Sequence, residues 1–102
     1  MDCEQQGTEC RVKLSGRINI DSSPDLRLLL LRMLTASHCR VLIVDFCEVA
    51  YIDTSGIAVL VQILKSAKQL GKNLQLSGLR ERPRYLLASS GLLRLFDESD
   101  HK

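Results

Sequence analysis

The sequence predicts a single α/β domain, a sandwich in which a mixed, mostly parallel β-sheet carries helices mainly on one side. Three observations predict it. Residues 10–15 and 73–77 alternate apolar and polar side chains, the period of a half-buried strand. Arg40-Val41-Leu42-Ile43-Val44-Asp45-Phe46 is a continuous β-branched apolar run, as in a strand buried on both faces. Between and after these segments, apolar residues recur at the three-to-four spacing of helices, and strands that alternate with helices in sequence are usually parallel neighbours in a layered fold.

A chain of 102 residues holds one domain. At that size folding buries roughly two-thirds of the unfolded surface, enough for one core without metal or disulfide staples. Hydrophobic residues at 45% and charged residues at 25% place it among ordinary soluble globular proteins. The core is expected over residues 10–96, with 97–102 a polar tail.

In chain order, Cys10-Arg11-Val12-Lys13-Leu14-Ser15 is the first strand, Gly16 breaks it, and Ile18-Asn19-Ile20 is a second short strand. A helix start follows: Ser23 as N-cap, Pro24 at the first helical position, and Asp25 facing the positive helix end. The helix over residues 26–34 is so rich in leucine that it is either wedged into the core or touches a partner or second subunit. The run at 40–46 is the next strand, and Val49-Ala50-Tyr51-Ile52 leads to the turn Asp53-Thr54-Ser55-Gly56. In the following helix Ile57, Leu60, Val61, Leu64 and Ala67 make one face. Gln62, Lys65, Ser66, Lys68 and Gln69 make the other, and Gly71 ends it. Asn73-Leu74-Gln75-Leu76-Ser77 is a strand. Arg82-Pro83 opens a last helix that stops at Ser90-Gly91, and residues 92–96 return toward the sheet, with room for a short final strand.

Several function classes are disfavoured. A net charge of +2 and a pI near 8.4 lack the basic run of a dedicated nucleic-acid binder. Aromatic residues at 4%, with no Trp, argue against base- or sugar-stacking platforms. No apolar stretch reaches the roughly 18 residues of a membrane span, so no direct membrane insertion is expected. Met1-Asp2-Cys3-Glu4-Gln5 is acidic and polar, unlike a secretory signal. Cys3, Cys10, Cys39 and Cys47 show no CxxC spacing, and His38 and His101 lie apart from them. Cys10, Cys39 and Cys47, in or beside apolar segments, read as reduced, buried thiols of a cytoplasmic protein, with no metal site and no cofactor.

The turn Asp53-Thr54-Ser55-Gly56 is the segment of most interest. It lies where a buried strand ends and a helix begins, the crevice where open α/β sheets place binding sites. The helix offers free N–H groups and a positive dipole end, so a phosphate on Thr54 or Ser55 would be tolerated. Gly56 would let a partner approach closely. The plain alternative is an ordinary N-cap. A Ser-His-Asp hydrolase is disfavoured because no base accompanies the hydroxyls, and no glycine-rich phosphate loop is present. Nucleotide sensing at the turn stays open as a minor option.

Three pieces taken together carry a family resemblance: Val41-Leu42-Ile43-Val44-Asp45-Phe46, Tyr51-Ile52-Asp53-Thr54-Ser55-Gly56-Ile57-Ala58-Val59-Leu60, and Gly71-Lys72-Asn73-Leu74-Gln75-Leu76-Ser77-Gly78-Leu79. In this order, and ending in Gly91-Leu92-Leu93-Arg94-Leu95-Phe96, they resemble the STAS domain over nearly the whole chain. The resemblance implies a STAS-like sandwich and a protein-binding module rather than an enzyme. In the anti-sigma-factor antagonist branch it implies phosphorylation at Thr54, or alternatively Ser55, by an anti-sigma factor that is also a serine kinase, with a phosphatase resetting the switch. The partner-binding residues it points to are Asn19, Asp21, Asp53, Thr54, Ser55, Gly56 and Ile57. Three positions depart from that branch. Asn19 stands where many members carry an acid, Thr54 replaces the more usual Ser, and Ala58 replaces a second Gly. The last features resemble the STAS subunits of lipid-asymmetry ABC transporters, where the same turn contacts an ABC transporter ATPase. A monomer or weak dimer fits either branch.

Overall fold

The computed structural model describes residues 2–99 and the side chains of residues 5–96; Met1, His101, the last part of the expected tail and the Cys3 side chain lie outside these. Along the chain come β1 (Asp2–Gln6), β2 (Glu9–Ile18), α1 (Ser23–Thr35), β3 (Val41–Ile52), α2 (Thr54–Gln69), β4 (Asn73–Ser77), α3 (Glu81–Ser89), a 3₁₀ turn at Leu93–Leu95, and β5 (Asp97–Ser99). The five strands form one sheet in the order β1-β2-β3-β4-β5. Strand β1 is antiparallel to β2, and the remaining pairs are parallel. Helices α1 and α2 are therefore crossovers between neighbouring parallel strands, as the interleaved pattern predicts.

Register explains the core. Cys10, Leu42 and Leu74 lie in one row across β2, β3 and β4, and Val12, Val44 and Leu76 in the next. All six are buried, and they join Leu26, Leu30 and Leu34 of α1 and Leu60, Ile63 and Ala67 of α2 in one cluster. The intervening rows face away from it. There Arg11 donates to the Ser77 hydroxyl at 3.2 Å and lies 3.7 Å from the Asp45 carboxylate. Ile43, in the same row as Arg11, is buried but stands outside the main cluster, so β3 is covered on both faces, as its composition implies.

The leucine-rich α1 mostly serves the core. Leu26, Leu30 and Leu34 are buried at four-residue spacing, Leu29, Leu31 and Met33 pack partly against them, and Leu28 is exposed. Its C-terminal carbonyls are closed by a cation from a distant segment: the Lys72 ammonium donates to the oxygens of Leu34 at 2.6 Å and Ala36 at 2.9 Å. A positive charge there also suits the negative helix end.

Four expectations are corrected. Gly16 does not end the strand. It adopts a φ of +82° inside β2, between two register shifts against β3, and the strand runs on through this bulge to Ile18. Ile18-Asn19-Ile20 is consequently not a second strand, and Ile20 sits in the loop that follows. The true second strand at this edge is β1, which pairs through a tight turn at Gly7-Thr8. The N-cap of α1 is Ser22 rather than Ser23, since the Asn19 loop draws the helix start back one residue. Residues 97–99 form β5 on the edge of β4 instead of tail.

Cysteine placement also differs in part. Cys10 and Cys39 are buried free thiols, as expected. Burial and the neighbouring Cys10 thiol push the Cys39 thiol up to about 12. Cys47 is a free thiol too, but exposed, because it lies where β3 passes beyond the end of its pairing with β4.

Candidate functional site

Strands β2 and β3 finish side by side, with Ile18 opposite Ile52. Two loops therefore emerge together at the carboxyl end of the sheet: residues 19–22, leading into α1, and the turn at Asp53, leading into α2. The Asp53 amide donates to the Ile18 carbonyl at 3.0 Å, which ties the second loop to the end of the first strand.

Asn19 shapes its own loop. Its side-chain oxygen accepts from the amides of Asp21 at 3.0 Å and Ser22 at 3.2 Å, an Asx turn. The Ser22 hydroxyl accepts from the Asn19 amide at 3.0 Å, closing the loop from the other side. An aspartate in place of Asn19 would accept the same two bonds, so the asparagine keeps the loop's shape while removing a negative charge. The loop lifts Ile20 into solvent with 72% of its surface exposed. Asp21 is exposed beside it.

Asp53 is the N-cap of α2. One of its carboxylate oxygens accepts from the amides of Ser55 at 3.0 Å and Gly56 at 3.4 Å, and makes a short hydrogen bond with the Ser55 hydroxyl. The Ile20 amide of the neighbouring loop also faces this carboxylate. The Ser55 hydroxyl, followed by the amides of Gly56, Ser55 and Ile20, stabilises the ionised form and holds the Asp53 carboxyl below the usual aspartate range.

The two hydroxyls are unequal as a result. Ser55 is half-buried and its hydroxyl is committed to Asp53. Thr54, the first residue of α2, is exposed. Gly56 and Ile57 do not share that exposure. A β-carbon on Gly56 would lie 2.7 Å from Ile18 Cγ2 and 2.7 Å from Ile52 Cγ1, so this glycine seats α2 on the strand ends. The expectation that Gly56 admits a partner is corrected: its bare face turns inward. Ile57 is 7% exposed and also belongs to the core. The surface that remains is Ile20, Asp21 and Thr54, with Asp53, Asn19 and Ser55 half-buried beneath. Arg17 stacks over the Tyr51 ring at 4.7 Å and braces β2 against β3 just before these loops.

Ile20 is the residue sequence reasoning missed. The usable signal was an apolar residue between Asn19 and Asp21, two turn formers that remove it from any strand.

This surface is poorly suited to catalysis. Asp53 is held ionised by four donors and is a weak base for either hydroxyl. His38 lies beyond the opposite end of β3. Among the described residues no three His, Cys, Asp or Glu side chains gather as a metal site, and no helix is long and apolar enough to cross a membrane.

A family model described as "Mlab, STAS domain" matches residues 1–97. The chain belongs to the STAS domain family. It is 32% identical to the anti-sigma-B factor antagonist of Bacillus subtilis over 97 residues, covering 95% of this chain and 79% of that protein. Among solved structures, the anti-sigma factor antagonist SpoIIAA in its unphosphorylated form superposes with a TM-score of 0.83 at 15% identity, covering 99% of this chain and 87% of that one. A sulfate transporter family protein from Wolinella succinogenes superposes with a TM-score of 0.71 at 22% identity, covering 83% and 68%. At these identities the two structures speak to the STAS fold alone.

Proposed function

We propose that this STAS domain is an anti-sigma-factor antagonist, a cytoplasmic binding module that captures an anti-sigma factor through the Ile20, Asp21 and Thr54 surface. We further propose that it is switched by phosphorylation of Thr54. The observation that carries the reading is the division of labour in the turn: Thr54 is exposed at the first position of α2, while the Ser55 hydroxyl is bound to Asp53. A kinase can reach Thr54 without dismantling the cap. The same modification on Ser55 would remove a donor from Asp53 and set two anions in contact. A phosphoryl group adds about −1.5 to −2 charges and bulk. Next to Asp21 and Asp53 it would repel an acidic docking partner, and a phosphatase would restore binding. The relative named as an anti-sigma-B factor antagonist supports this assignment.

A second reading rests on Ala58, which is exposed four residues after Thr54. Asp53-Thr54-Ser55-Gly56 followed by Ile57-Ala58-Val59-Leu60 resembles the transporter-subunit branch. In that case the same surface seats the ATPase of a lipid-transport ABC transporter and no phosphate is involved.

Affinity capture from the native host, with mass spectrometry of co-purifying chains and of the peptide bearing Thr54 and Ser55, separates the two. A kinase-like anti-sigma factor, with phosphate on Thr54 that is lost in Thr54→Ala, is the expected result. An ABC ATPase with its permease and no phosphate would replace it with the second reading.

A further inference from the structure

We propose that the outward face of α3 and the 3₁₀ turn after it form a second docking surface, independent of the Thr54 turn, for an acidic amphipathic segment of a partner protein. Helix α3 is anchored by Pro83 and Leu87, which are buried. Its opposite stripe, Glu81, Tyr85 and Ala88, follows helical spacing and is exposed. Tyr85 leaves 70% of its surface in solvent, and Leu95 leaves 46%.

Two clefts lie along this stripe. One of about 350 Å³ is lined by Glu81, Arg82, Tyr85 and Leu86. The other, of about 570 Å³, is lined by Ala88, Gly91, Leu93, Arg94 and Phe96. Consecutive concavities along a helix accept side chains at regular spacing, the geometry of a peptide laid in a groove rather than of a flat bilayer.

Charge identifies the occupant. Arg82 lines the first cleft and Arg94 the second, against a single lining acid, Glu81. Arg80, Arg82 and Arg94 are exposed, and none takes an acid from among the described residues; the ion pairs Arg11–Asp45 and Lys13–Glu48 lie elsewhere. Guanidinium groups at the lip of each cleft fit carboxylates flanking buried apolar side chains. The occupant is thus a segment with Leu or Phe at helical spacing and Asp or Glu between.

The test titrates the isotope-labelled full chain with dodecapeptides of that pattern, read by amide chemical shifts, against matched peptides with Lys in place of the acids. The acidic set should move amides around Tyr85, Leu86 and Arg94. The doubly charge-reversed Arg82→Glu, Arg94→Glu variant should weaken binding by about tenfold or more, and Thr54→Glu should leave it unchanged. If charge reversal unfolds the chain, the Arg82→Gln, Arg94→Gln pair carries the test. Equal binding of the basic set, shifts mapping to the Thr54 turn, or no acidic peptide binding at about 1 mM would overturn the proposal. Binding to phosphatidylglycerol vesicles lost in the charge-reversed variant would give the surface to a membrane. A dimer abolished by Tyr85→Ala would give it to a second copy.

Discussion

Gly56→Ala tests how α2 is seated. The added methyl would lie 2.7 Å from Ile18 Cγ2, 2.7 Å from Ile52 Cγ1 and 3.0 Å from Ile52 Cδ1. Two of these atoms branch directly from a β-carbon, so they cannot swing aside without a change of χ1. Both isoleucines are buried, at 4% and 1% exposure, which leaves no empty space to receive them. Overpacking of this kind costs about 1–3 kcal/mol. Alanine's helix propensity, together with its smaller unfolded-state entropy, returns at most about 1 kcal/mol. The net expectation is a loss of about 1–2 kcal/mol, which for a chain of this length lowers Tm by about 5–10 °C. Thermal and urea unfolding followed by circular dichroism would measure it, and an unchanged urea slope would show that the unfolded state is not the cause. A variant as stable as the parent, or more stable, would refute the close seating of α2 and return Gly56 to the role of an open approach.

Three other outcomes follow from the same geometry. Ser55→Ala should lower stability by about 0.5–1.5 kcal/mol because it removes a donor from Asp53, whereas Thr54→Ala should stay within about 0.5 kcal/mol of the parent; equal effects in urea titrations would contradict the division of roles. Asp53 titrates below its ordinary value when folded, so its stabilising contribution is present above the unfolded aspartate value of about 3.9 and is lost as pH falls through the lower folded value. Urea midpoints measured from neutral pH to about pH 2.5 should fall less steeply in Asp53→Asn over that acid window, and parallel curves would exclude the linkage. Lys72→Met should cost about 1–2 kcal/mol and speed amide exchange in the last turn of α1, since it strips two carbonyls of their donor; unchanged exchange there would show that the ammonium only rests on the helix end.

What could be read from the sequence tracks what leaves an apolar imprint. Strand β4, with Leu74 and Leu76 facing in, appears at its observed limits because burial on one face writes a period of two. Strand β1 left no such imprint: Gln5 and Gln6 are exposed, and the strand is held by backbone pairing at a sheet edge. Gly16 misled because a glycine at positive φ serves equally for a turn or a bulge, and only the partner strand decides. At the site, Asp53 as N-cap was visible in residue type and position. The inward face of Gly56 was not, since it depends on where Ile18 of another strand ends. The α2 stripe was read two residues short, at Val59 and Ile63, for a similar reason. Ile63 and Val59 are buried because the helix is flanked by both α1 and the sheet, which widens its apolar face.

The way the two site loops are held bears on how any switch at Thr54 would work. Asn19 and Ser22 close one loop through side-chain hydrogen bonds, Asp53 closes the other, and the Asp53 amide and carboxylate reach Ile18 and Ile20 across the gap. A surface fixed this way is formed before a partner arrives, so binding loses little to loop ordering. It also leaves little slack for a local refolding on phosphorylation. Added charge at Thr54 would then act on the partner directly, through repulsion and bulk in the contact itself, and its effect on affinity should weaken as salt rises. A switch that worked by remodelling the loops would be nearly indifferent to salt. Comparing partner affinity of Thr54→Glu with that of the parent at low and high ionic strength separates the two: a deficit that shrinks with salt supports direct repulsion, and one that persists undiminished points to loops less rigid than Asp53 and Asn19 make them.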